Sequence, residues 1–198
     1  HHLQRNLYLR RNLMTGVFRP ELVLNPLYHV RHRIVPLPSV SNLVFVGGKV
    51  GNFAGATSGN TTVGLNSGLT GGVGSAVQAG DIVIVCYATG STADRTLLIQ
   101  DPSAVDYTLI GSELYSNGTS FDTNLRVGYK FMGSSPDASV SVGPTGNTAD
   151  GGAYAVHVWR NVDTVAPFDG VTPTTATGTA TSRPNPPSIT PVTKRAKV

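Results

Sequence analysis

Two stretches decide the fold class: Asp81-Ile82-Val83-Ile84-Val85-Cys86-Tyr87-Ala88 and Asn124-Leu125-Arg126-Val127-Gly128-Tyr129-Lys130-Phe131-Met132. The first is apolar from Ile82 onward on both sides of any extended backbone. It reads as a central strand covered on both faces. The second alternates: Leu125, Val127, Tyr129 and Phe131 fall on one face, and Arg126, Gly128 and Lys130 on the other. A period of two marks a strand with one wet face.

Working outward, Leu43 to Val46 reads as a first strand ended by Gly47-Gly48. Residues 51 to 80 are rich in Gly, Ser, Thr and Asn, with one short strand at Thr61 to Leu65. Further strands are expected at Arg95 to Ile99, Tyr107 to Ile110, Ala138 to Val142 and Gly152 to Arg160. Leu114-Tyr115-Ser116 runs into Asn117-Gly118, whose residues accept the positive φ of a tight hairpin turn. Thr174 to Ser182 reads as a polar edge strand. About eight short strands with frequent turns predict an all-β, jelly-roll or Greek-key antiparallel sandwich.

The first 38 residues differ in texture. Leu3, Leu7, Leu9, Leu13, Met14, Val17 and Phe18 give a loose helical pattern, and Pro20, Pro26, Pro36 and Pro38 then break it. A basic N-terminal arm, partly helical or extended, is expected over residues 1–38. The β-domain follows over 39–193 and a basic tail over 194–198. The charge divides the same way. The arm carries six Arg and one Glu and the tail three cations, while 39–193 has six cations and ten acids. The formal net charge of +4 therefore belongs to the ends, and the body is net acidic. A basic nucleic-acid face is not expected on such a body, only on the arm.

Sites of chemistry are hard to nominate. The single cysteine, Cys86, excludes an intrachain disulfide and reads as a small buried hydrophobe. Gly47-Gly48-Lys49-Val50 lacks the Ser or Thr and the helix of a phosphate loop. His29 and His32 lack accompanying carboxylates or thiols, and His157 stands alone beside Trp159. Asp94, Asp101, Asp106 and Asp150 fall in loops without the dense spacing of a Ca²⁺ loop. Glu113 is the only Glu of the body, and no nucleophile elbow occurs. No catalytic residue, cofactor or metal is expected, and no apolar run reaches the length of a membrane span. Among the aromatic residues, Tyr107, Tyr115 and Trp159 are the candidates for ligand contact, because ring faces stack on sugars.

The runs Ala79-Gly80-Asp81-Ile82-Val83-Ile84-Val85, Thr89-Gly90-Ser91-Thr92-Ala93-Asp94-Arg95-Thr96-Leu97, Tyr107-Thr108-Leu109-Ile110-Gly111-Ser112-Glu113-Leu114-Tyr115, Asp122-Thr123-Asn124-Leu125-Arg126-Val127 and Tyr154-Ala155-Val156-His157-Val158-Trp159-Arg160 resemble proteins of tailed phages and prophages, mainly from α-proteobacteria. The resemblance covers about residues 45 to 191. It implies a virion surface or tail-associated β-domain and carries no activity with it. Proteins of that family continue past Ile189-Thr190-Pro191-Val192-Thr193 into further apolar strands, where this chain has its basic tail. The resemblance thus implies an open sheet edge that favours self-association.

These readings together lead to a non-enzymatic virion structural protein: a decoration, fibre or tail-accessory domain acting as a homo-oligomer with other virion proteins. Two alternatives stand beside it. One is a carbohydrate-binding module for a host-surface glycan. The other is a small icosahedral capsid protein whose 1–38 arm faces RNA.

Overall fold

The computed structural model describes residues 42–53, 60–116, 122–145, 151–169 and 173. These residues are all-β: β1 (Val44–Phe53), β2 (Thr61–Gly64), β3 (Ile82–Ser91), β4 (Leu97–Gln100), β5 (Thr108–Leu109), β6 (Leu114–Ser116), β7 (Asp122–Phe131), β8 (Ser139–Pro144) and β9 (Gly151–Arg160). Every pairing is antiparallel, and no helix occurs among the described residues.

The strands form two sheets. The larger has the order β1-β9-β3-β7-β5, with β6 also on β7; the smaller has the order β2-β8-β4. Pairing is nested along the chain. β1 meets β9, β2 meets β8 and β3 meets β7, while the backbone of Tyr107 bonds back to Ile99 of β4. The chain behaves like one long hairpin folded over on itself, and β3 against β9 then joins its two arms within the larger sheet.

One core serves both sheets. Val83, Val85 and Tyr87 of β3 and Val156 and Val158 of β9 cluster with Val63, Leu97, Ile99, Val140 and Val142 of the smaller sheet. These β-branched and aromatic side chains suit a pleated surface, and alternate residues of each strand reach inward. The fold-back after β4 is set by Asp101. Its Oδ1 accepts the N–H groups of Ser103 and Val105, and Ala104 takes a left-handed φ of 62°. Asp81, fully buried at the start of β3, receives two hydrogen bonds from Arg160 at 2.7 and 2.8 Å and so pins β3 to the end of β9.

Four expectations need correction. β1 does not stop at Gly47-Gly48. A bulge at Val46 absorbs the glycines and the strand runs on to Phe53. The two faces of β7 are reversed: Arg126 and Gly128 point into the core, while Leu125, Val127, Tyr129 and Phe131 lie half-buried on the outer face. β3 is central as expected, but its outer face is covered less than its inner one: Ile82 is buried there, while Ile84, Cys86 and Ala88 are half-buried. Cys86 is therefore half-buried on the outer face and not a core residue. The 1–38 arm, the Asn117-Gly118 turn, the strand at 174–182 and the 194–198 tail lie outside the described residues.

Candidate functional site

Register builds the outer face of the larger sheet row by row. The first row is Phe45, Trp159, Ile82 and Phe131, from β1, β9, β3 and β7. The second is Gly48, His157, Ile84 and Tyr129. The third is Val50, Ala155, Cys86 and Val127, and the fourth Asn52, Ala153, Ala88 and Leu125. No Asp, Glu, Lys or Arg stands in any of these rows. Val50 is 78% exposed. Desolvation pushes the Cys86 thiol above its ordinary pKa, as an apolar neighbourhood must.

The rings of this face are paired. Phe45 and Trp159 lie 4.9 Å apart between centroids, and Phe45 meets His157 edge-on at 5.8 Å. Tyr129 meets Phe131 edge-on at 6.3 Å. After β9 the chain returns to this face, where Phe168 packs edge-on against Tyr129 at 5.2 Å. Between this returning segment and β5 lies an open groove of about 410 Å³, lined by Thr108, Leu109, Tyr129 and residues Val165 to Phe168.

Charge is concentrated between the sheets instead. Arg126 donates to the carbonyl of Leu97, bonds Asp106 at 3.2 Å and lies 3.6 Å from Glu113. Glu113 also accepts the N–H of Leu97, and burial pushes its carboxyl up despite the guanidinium. Nearby, Asn124 bridges Asp94 and the backbone of Arg95. Lys130 joins Asp101 and Asp137 at 2.7 and 2.8 Å. In each case the acid groups are taken up by cations, backbone donors or, for Asp94, the Asn124 amide, which is the chemistry of satisfied structural pairs. Among the described residues, no three His, Cys, Asp or Glu side chains are grouped to hold a metal ion.

The three aromatic candidates are not brought together. Tyr107 is 2% exposed and sits inside, its ring 5.9 Å from Lys130 Nζ; burial, with Asp137 and Asp101 nearby, pushes its phenol pKa up. Tyr115 lies on β6, where its hydroxyl donates to Asp122 at 3.0 Å. Trp159 alone stands on the apolar outer face. The residues that sequence reasoning missed are Leu125, Val127, Tyr129 and Phe131. The signal was available in the neighbouring strand: β3 is apolar on both faces, so its outer neighbours had to be apolar too. Comparison with known protein families, curated proteins and solved structures finds no match for the chain.

Proposed function

We propose that the chain is a non-enzymatic structural protein of a phage particle, a jelly-roll β-sandwich that works by packing against neighbouring subunits. The nested pairing of β1 with β9, β2 with β8 and β3 with β7 supports the jelly-roll reading, since that fold is a long hairpin wrapped into two facing sheets. The observation that carries the functional reading is the uncharged outer face of the larger sheet. A face of that extent, apolar but for His157 and Asn52, suits an interaction surface. The resemblance to phage proteins supplies the setting, on the virion.

A shallow groove beside Tyr129 and Phe168 favours the second reading, a glycan-binding module, because two rings border it. The mass of the chain in solution separates the two. Light scattering at low and high salt is expected to give a defined oligomer whose mass does not fall as salt rises, because apolar contacts are not screened. A monomer at all concentrations would remove the packing reading and leave the groove as the better candidate.

A further inference from the structure

The outer face carries more than a general stickiness, because its bulk is graded. On the two inner strands the series runs Trp159, His157, Ala155, Ala153, Gly151 in β9 and Ile82, Ile84, Cys86, Ala88, Gly90 in β3; Phe45 and Phe131 flank the bulky end, and Asn52 and Leu125 flank the other. Aromatic side chains stand several ångströms above the pleat, and Ala and Gly barely rise from it. The middle of the face is therefore a ramp running along β9 and β3, high at the Trp159 end and low at the Gly151 end. A ramp fits a flat partner poorly. It fits a second ramp turned end for end.

We propose that the partner on this face is a second copy of the chain, docked sheet to sheet about a two-fold axis that lies between the two sheets and runs across the strands over the row of Cys86 and Ala155. This deepens the packing reading and rests on it. The axis lies there because Cys86 and Ala155 are paired in register on the two inner strands of the four, midway between the high and low ends. Rotation about it places the aromatic end of each copy over the Ala and Gly end of the other. One patch then serves both subunits, as an isologous contact requires.

Size and charge point the same way. Four strands about 4.8 Å apart and about ten residues long, at roughly 3.3 Å per residue, span on the order of 600 Å². Phe168 takes up the Tyr129 corner of it. That footprint, which includes the buried Ile82 and the polar Asn52 and His157, compares with the roughly 800 Å² per partner of a stable complex. With no charged side chain in the four rows, nothing on the face selects a partner by charge. An identical apolar face is its natural complement. Two sheets packed this way sit about 10 Å apart, with strands inclined by about 30°.

Cys86 is the single cysteine of the chain, so it reports the axis without ambiguity. In the proposed pair the two thiols lie within about 12 Å, given that sheet spacing. A short bismaleimide bridges them by adding each thiol across one of its double bonds, with no leaving group. The experiment treats the full chain with this reagent and resolves the products by mass, alongside light scattering of the chain and of Val127→Lys. The expected result is a covalent dimer linked through Cys86. For Val127→Lys, the expected result is an unchanged circular dichroism spectrum and an association at least about a hundredfold weaker, because an unpaired charge is then buried twice over. An oligomer that gives no Cys86 link and is indifferent to Val127→Lys overturns the two-fold face while leaving packing as the function. A wild-type monomer overturns both. If Val127→Lys fails to fold, the cross-link on the unaltered chain still decides.

Discussion

Arg126 shows how a polar residue comes to sit in the core of this protein. Its strand neighbours alternate with it, and its side chain is only 10% exposed, yet the two terminal guanidinium nitrogens are matched by the Leu97 carbonyl, Asp106 and Glu113, while Nε has no hydrogen-bond partner among the described residues. Such a group costs desolvation to bury, and breaking it by removing one partner costs more, because the other is left uncompensated. Arg126→Leu is expected to destabilise the protein by about 3 kcal/mol, because Glu113 and the Leu97 carbonyl lose their partner in the interior; urea unfolding measures it. Asp101 makes a different prediction. The Lys130 ammonium, then the Val105 N–H, hold its carboxyl below the ordinary carboxylate range. A depressed folded pKa means that its stabilising contribution is present above the unfolded value near about 3.9 and is lost as pH falls through the folded one. Asp101→Asn is expected to lower stability at neutral pH by up to about 1 kcal/mol and to flatten the loss of stability below about pH 4. Unfolding midpoints across that acid range check the sign.

At the scale of the elements, the edge of β1 depends on a loop lying flat against it. Residues 69–74 cross there: Gly48 and Thr70 exchange N–H···O bonds at 2.9 and 3.0 Å, and Gly74 donates to Val46. This close approach is possible because position 72 has no Cβ, which would overlap the Val46 carbonyl. Gly72→Ala is expected to cost about 2 kcal/mol as the loop is pushed away. Amide exchange should quicken at Gly48, Thr70 and Gly74, whose bonds cover the edge; unchanged protection at those three amides would refute this account. The same element marks the limit of what the sequence discloses. Gly47-Gly48 looks like a strand terminator because glycine usually is one. Only the three-dimensional partner turns it into a bulge, with β9 on one side and the 69–74 loop on the other. The strand positions from β3 to β9 were legible, since local apolar density and a period of two depend only on neighbours in the chain. The sign of the alternation in β7 was not. Period gives two faces, and which one is inside depends on where Asp106, Glu113 and Asp101 arrive from other segments to neutralise Arg126 and Lys130.

At the scale of the whole molecule, pairing between distant segments disperses the candidate aromatics and builds an outer face that no single strand discloses. Tyr107, Tyr115 and Trp159 are alike as residue types, but nested pairing sends the first inside, the second onto an edge strand and the third to the outer face. β1 and β9 meet across more than half the chain, and a single sequence holds no record of that register. Once the register is known, the uncharged rows line up, and the proposed assembly would remove them from water. Assembly in turn predicts a thermal signature. A two-state pair gains stability by mass action, so its unfolding midpoint rises with concentration, whereas a monomer's does not. For two chains of this size, a hundredfold increase in concentration is expected to raise Tm by about 4 °C. Because the contact is apolar, the rise should persist in about 1 M salt, where exposed ion pairs are screened. Val127→Lys should abolish the concentration dependence while leaving a cooperative transition, since that substitution burdens the pair and not the core. A midpoint independent of concentration in the unaltered chain would mean that the face is covered within one subunit, and the packing reading would have to be given up.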